Sequence, residues 1–238
     1  MIYEEKFRIG LNDIGKEDKL TNHAILEILE NVGSYHSDCV GYGLNEMKSK
    51  NIGWVLLEWK AEIIERPSYG PYLTVKTWCS EINKFFCYRD YEIYDHNNKL
   101  CVSAIARWTI LDLEERKMIR IGDVIKDAYQ AEEKNVSFKT KWDKLKIPTE
   151  FMSEYEYTVQ RRDLDVNGHM HNLYYLDLAY ETLPQEIYEQ RPFDQMRITY
   201  KKEILLGQKL KCKYTKEEGK HIIVIEGEDK TIHAIVEL

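Results

Sequence analysis

Between residues 161 and 172 the chain runs Arg161-Arg162-Asp163-Leu164-Asp165-Val166-Asn167-Gly168-His169-Met170-His171-Asn172, and an apolar, aromatic-rich run follows at once. Polar groups this dense at the mouth of a buried helix are costly unless they pair with one another or do chemistry. Three readings of Asp165-x-Asn167-x-His169-x-His171 are open. It can be a turn in which Asp and Asn bond the backbone and Gly168 allows the reversal. It can be a metal site built from Asp165, His169 and His171, although no fourth ligand follows at a recognisable spacing. It can also be a hydrolytic site, with histidine beside carboxylate and amide groups and a helix N-terminus to stabilise an oxyanion.

The elements that must position this cluster come in two similar sets. In the first half, residues 6–9 read as a strand, and Thr21 or Asn22 can cap a helix. Ile25, Ile28, Leu29 and Val32 then recur at i, i+3, i+4, i+7, which predicts a helix running to about Val40 and ending at Gly41 and Gly43. Strand-like runs follow at 53–60, 73–78, 85–94 and 100–111. In the second half, a strand at 155–160 leads into the polar cluster. Asn172 can cap a helix whose Leu173, Leu176, Tyr180 and Leu183 share a face, and strands follow at 196–202, 209–214, 221–226 and 231–236.

The stretch between is charged and irregular, with one short helix near 122–129. It is locally basic: Lys134, Lys139, Lys141, Lys144 and Lys146 face only Glu132, Glu133 and Asp143. One helix followed by antiparallel strands, twice, predicts an α+β fold with an N-terminal domain at 1–128, a connector at 129–150 and a C-terminal domain at 151–238. Aligning Gly70-Pro71-Tyr72-Leu73 with Gly207-Gln208-Lys209-Leu210 makes the two sets an internal duplication.

Composition narrows the class. Of 238 residues 43% are apolar, enough for a substantial core, and 17 tyrosines against five prolines favour half-buried strands. A net charge of −7 argues against nucleic acid as a partner. Cys39, Cys79, Cys87, Cys101 and Cys212 are scattered, without a CxxC pair, as expected of reduced thiols in the cytoplasm. The first residues lack signal-peptide or transit-peptide character, and no apolar run is long enough for membrane insertion.

The segment RRDLDVNGHMHNLYY resembles the RRxDLDxNxHVNNxxY signature of the acyl carrier protein thioesterases, plant and bacterial enzymes that release free fatty acids. Leu20-Thr21-Asn22-His23, Gly53-Trp54-Val55, Val75-Lys76-Thr77-Trp78 and Tyr200-Lys201-Lys202-Glu203 are similar to further landmarks of that family, so the resemblance spans nearly the whole chain. It implies a tandem, or double, hot-dog fold, each half a long helix wrapped by an antiparallel sheet. It also implies a catalytic set of Asp165, Asn167, His169 and Glu203 that needs no metal and no cofactor. In such a set Glu203 or His169 polarises a water, with Glu203 the preferred base. Asn167 fixes the water or carbonyl, and Asp165 orients the site. Without the resemblance, Glu203 reads as a solvated strand carboxylate beside Lys201 and Lys202.

Two positions depart from the family pattern. Plant members often carry cysteine after the glutamate; here Ile204 follows Glu203, which disfavours a Cys-His mechanism. His171 stands where the family usually has asparagine, and it reads as a packing or capping residue. The first half has Glu17-Asp18-Lys19 in place of a DxNxH, so that half is catalytically empty. The resemblance gives it the acyl chain to hold, with Ile28, Val32, Trp54 and Leu56 as candidate lining, although ordinary core suits each of them as well.

The implied partner, acyl carrier protein, is small and acidic, and Arg161, Arg162, Lys201 and Lys202 are candidate docking charges. A homodimer is expected by analogy with other hot-dog folds. Two other functions remain open: the same hydrolysis on acyl-coenzyme A, and a non-catalytic module that binds acyl thioesters.

Overall fold

The computed structural model describes residues 1–132, 138 and 142–238, which fall into two compact units, Met1–Thr140 and Lys141–Leu238. Along the chain of the first unit come β1 (Tyr3–Arg8), α1 (Asn22–Cys39), α2 (Leu44–Ser49), β2 (Ile52–Ile63), β3 (Tyr72–Ile82), β4 (Cys87–Tyr94), β5 (Leu100–Asp112), β6 (Lys117–Ile119) and α3 (Asp123–Tyr129). The second unit contains β7 (Ser153–Thr158), α4 (Tyr174–Thr182), α5 (Gln185–Tyr188), β8 (Gln195–Tyr200), β9 (Lys209–Glu217), β10 (Lys220–Gly227) and β11 (Ile232–Glu237).

In the first unit the sheet order is β1-β3-β4-β5-β2, with β6 added to β5, and every pairing is antiparallel. Thr21 opens α1 by accepting the Ala24 N–H on its Oγ1 at 3.1 Å, which satisfies one of the donors a helix start leaves over. Ile25, Leu29 and Val32 are fully buried on the face that meets β1 and β3. Each contributes about 1.5–3 kcal/mol by leaving water. The helix thus forms for the reason its spacing predicts: its apolar stripe packs against the sheet.

Polar groups are buried in this unit as well. His36 Nδ1 meets Arg89 Nη1 at 2.7 Å, Arg89 also reaches Thr77 Oγ1 at 3.3 Å, and its guanidinium lies 5.4 Å from the centre of the Tyr129 ring. Burial first, and the Arg89 charge second, push the His36 pKa down to about 3, so its ring is neutral. Tyr129, where the sequence reading begins its connector, is fully buried here and donates its hydroxyl to Ser37 Oγ at 2.8 Å.

The second unit repeats the plan as β7-β9-β10-β11-β8, again antiparallel throughout. Its helix α4 has nine residues against the eighteen of α1, and Tyr175, Leu176, Leu178 and Ala179 form its buried side. α2, α5 and β6 were not anticipated from the sequence, because elements this short carry little periodicity to read. Of the basic stretch, Lys134, Lys139 and Lys141 lie outside the described residues, while Lys144 and Lys146 are exposed.

Candidate active site

The polar cluster forms a tight loop between a single 3-10 turn, Arg161–Asp163, and the start of α4. Asp163 is 3% exposed, and its Oδ2 accepts from the Gln160 N–H and the Tyr157 hydroxyl, both at 2.7 Å. Those bonds hold a buried carboxylate and lock the turn that leads into the loop. Asp165 then organises the loop. Its Oδ1 accepts from the N–H groups of Asn167 at 2.8 Å and His169 at 3.0 Å, and its Oδ2 from Asn167 Nδ2 at 3.3 Å. Gly168, at φ +78°, takes the left-handed conformation the reversal requires. The turn reading is therefore realised, and the residues that make the loop also fix His169 within it.

His169 pairs with the segment after β8. It forms an antiparallel bridge with Leu205, and the Met170 N–H donates to the Ile204 carbonyl at 2.8 Å. That register sets His169 Nε2 3.6 Å from Glu203 Oε2, with side-chain exposures of 25% and 37%. The pair is within ion-pair range, too long for a direct hydrogen bond, and partly exposed to solvent. Beneath it lies Tyr175, 3% exposed. Its hydroxyl pKa is raised by burial and then by the nearby carboxylates of Glu203 and Asp165, with a backbone hydrogen bond to Ile204 opposing them.

The first unit holds the same backbone loop with different side chains. Leu20 N–H donates to the Pro67 carbonyl as Met170 does to Ile204, and Lys19 bridges Ser68 as His169 bridges Leu205. Asp13 caps its own 3-10 turn through the Gly10 N–H at 2.6 Å, matching Asp163. At the places of Asp165, Asn167, His169 and Glu203 this register puts Gly15, Glu17, Lys19 and Arg66. Arg66 Nη1 there binds the Leu20 carbonyl and Asn22 Oδ1 at 2.8 and 2.7 Å, and Lys19 Nζ reaches the Arg66 carbonyl at 3.3 Å. Two cations that tie down backbone replace a histidine and a carboxylate that face one another.

His171 is a helix-start residue: its Nδ1 accepts the Leu173 N–H at 3.3 Å. Asn172 does not cap the helix, contrary to the sequence expectation; Leu173 occupies that position without a side-chain bond. The Tyr174 N–H is bound to the His171 carbonyl at 3.0 Å. The Leu173 and Tyr174 N–H groups at the start of α4 are thus spent locally.

Among the described residues no group of three or more His, Cys, Asp or Glu is placed to hold a metal ion. Asp165 is turned onto its own loop and His171 onto its helix, so the metal reading has no converging ligands. Cys212 is buried, its thiol pushed up to about 12 by burial and bonded to Thr182 at the far end of α4, about 12 Å of helix from the loop.

The remaining candidates fall where their chain positions allow. Arg161, Arg162, Lys201 and Lys202 are all exposed, on the two segments that the His169–Leu205 bridge brings side by side. Ile28, Val32 and Leu56 are buried in the core of the first unit, and the half-buried Trp54 meets Tyr129 edge to face with ring centres 5.9 Å apart. Asp163, Tyr157 and Tyr175 were missed by sequence reasoning. The recurrence of an aspartate at 13 and 163 is the signal that could have found the first.

Two successive units, each an antiparallel sheet over one helix with the same helix-start loop, define the tandem hot-dog class. A family model described as the acyl-ACP thioesterase N-terminal domain matches residues 1–129, and one described as the C-terminal domain matches residues 145–236. The chain belongs to the acyl-ACP thioesterase family.

It is 26% identical over 219 residues to oleoyl-acyl carrier protein thioesterase 1, chloroplastic, of Arabidopsis thaliana, covering 84% of this chain and 60% of that protein. An oleoyl-acyl carrier protein thioesterase of Coriandrum sativum is 25% identical, with 84% and 59% covered. The chain therefore spans about 60% of the length of these relatives. Among solved structures, an acyl-ACP thioesterase from Bacteroides thetaiotaomicron superposes with a TM-score of 0.89 at 19% identity, covering 99% of this chain and 96% of that one. The 12:0-ACP thioesterase of Umbellularia californica gives 0.86 at 19%, with 99% and 95% covered. These likenesses show the fold. No helix among the described residues is long and apolar enough to cross a membrane.

Proposed function

We propose that this chain hydrolyses fatty acyl thioesters of acyl carrier protein, using Glu203, His169, Asn167 and Asp165 and no covalent enzyme intermediate. The observation that carries the proposal is the His169–Glu203 pair at 3.6 Å, at a position where the duplicated unit has Lys19 and Arg66. Glu203 takes a proton from water as the water oxygen bonds the thioester carbonyl carbon. Collapse of the tetrahedral adduct expels the carrier's thiolate, which takes that proton, leaving free fatty acid. His169 orients Glu203 and the water. Asn167 supplies an amide to the water or carbonyl, and Asp165 acts through the loop backbone. The buried, protonated Cys212 is not a nucleophile.

The other assignments belong to the same proposal. The first unit, without the catalytic residues, holds the acyl chain among residues such as Ile28, Val32, Trp54 and Leu56. Arg161, Arg162, Lys201 and Lys202 attract the acidic carrier protein. Five free cysteines support a reducing compartment, the cytoplasm. A homodimer follows the habit of hot-dog folds and is checked by light scattering.

The deciding experiment compares turnover of acyl carrier protein and coenzyme A thioesters, chain length by chain length. Preferred hydrolysis of the carrier protein substrates is expected. Glu203→Gln should lower kcat by about 10²–10⁴-fold while leaving binding intact. Binding without any turnover would sink the enzyme reading, and full activity in Glu203→Gln would remove Glu203 from the mechanism.

A further inference from the structure

We infer that His233, on β11, is a positioning residue for Glu203, an inference that rests on the base role proposed above. β8 ends at Tyr200, and residues 201–203 leave the sheet on the way to the site. Two sets of bonds hold that departure to the backbone and side chain of one residue. The His233 carbonyl accepts from the Lys201 and Lys202 N–H groups at 2.8 and 3.3 Å. Its ring, in a residue only 2% exposed, sets Nδ1 3.2 Å from the Lys202 carbonyl and 3.1 Å from the Glu203 carbonyl. Carbonyl oxygens only accept, so Nδ1 carries the proton and donates to both. The main chain of Glu203 is thereby fixed on one side by His233. On the other side the next residue is held by the Met170 N–H bond to the Ile204 carbonyl.

The duplicated unit supplies a control within the same molecule. There the Ile64 and Glu65 N–H groups donate to the Cys101 carbonyl at 2.8 and 3.1 Å, the same backbone pattern as at His233. Cys101 therefore occupies the place of His233, as Arg66 occupies that of Glu203. The Cys101 thiol turns to the Lys99 carbonyl, and the Arg66 carbonyl is served by Lys19 Nζ instead. The fold thus makes this bend with a cysteine, without any ring donor. The histidine stands only where the bend delivers a carboxylate. By serving the Glu203 carbonyl itself, it leaves His169, the counterpart of Lys19, to face the carboxylate at 3.6 Å.

Steady-state hydrolysis of a fatty acyl thioester of acyl carrier protein by full-length His233 variants tests this. In His233→Asn the side-chain amide places an N–H near the Nδ1 position and should keep kcat within about threefold of the parent; His233→Gln and His233→Leu, which do not, should lose about tenfold or more in kcat, with KM changed by less than about twofold. In a Glu203→Gln background the same substitutions should change the residual rate by less than about twofold, because a residue acting through Glu203 has nothing left to position. If Asn, Gln and Leu variants all keep parental kcat while Glu203→Gln is inactive, the inference fails and the base assignment stands. An active Glu203→Gln instead overturns the base assignment, and this inference with it. If His233→Leu does not fold, the Asn and Gln comparison decides alone, equal rates counting against the inference.

Discussion

Replacing Asp165 separates two ways a carboxylate can serve a site. In the structure its oxygens are turned onto the loop, accepting the Asn167 and His169 N–H groups at 2.8 and 3.0 Å and Asn167 Nδ2 at 3.3 Å. Asp165→Ala removes all three. Two of the three bonds are exposed and the third is half-buried, so each contributes a net of about 0.7–1 kcal/mol and about 2–3 kcal/mol of stability should be lost in all. For a chain of this size that lowers Tm by about 4–12 °C. The released loop also carries His169 away from Glu203, and a displacement near 1 Å costs about 10²-fold in rate. Asp165→Asn keeps an oxygen for both N–H groups and should retain kcat within about tenfold. Thermal unfolding followed by circular dichroism, together with kcat on a carrier protein thioester, measures both effects. If Asp165→Asn loses as much activity as Asp165→Ala while keeping parental Tm, the carboxylate's charge acts on the reaction directly and the loop argument is wrong.

Acid should destabilise the first unit through His36. Its folded pKa of about 3 lies below the ordinary 6.5, so the unfolded chain binds the extra proton and stability falls as pH drops from about 6.5 towards 3. At pH 5 the loss amounts to about 2 kcal/mol. Urea midpoints at pH 7.5 and pH 5 should therefore separate more in the parent than in His36→Gln, and equal separations would mean that His36 is protonated when folded. The double charge reversal Arg161→Glu with Arg162→Glu should raise KM for the carrier protein substrate by about tenfold at low salt, with kcat unchanged and the difference shrinking as salt screens it. A KM that does not move at low salt would take both arginines out of docking.

The α+β plan and the order of its elements were legible in the sequence, because period-two and period-3.6 patterns are local. Ile25, Leu29 and Val32 mark the face of α1, and Thr21 marks its start. The polar loop was legible too, since Asp165, Asn167, Gly168 and His169 make most of their bonds to one another within five residues. Even so, the sequence left three uses of that loop open, and the choice of Glu203 rested on a family resemblance.

The bridge between His169 and Leu205 was decided by tertiary structure, as were the burial of Tyr175 beneath the carboxylates and the bond from His233 to the Glu203 carbonyl. So was the placement of Lys19, Arg66 and Cys101 at the matching positions of the first unit. These facts join segments far apart in the chain, and their register depends on how the strands and loops within each unit pair. A sequence read one residue after another carries periodicity and turn chemistry. It does not carry the register that sets a histidine and a glutamate face to face.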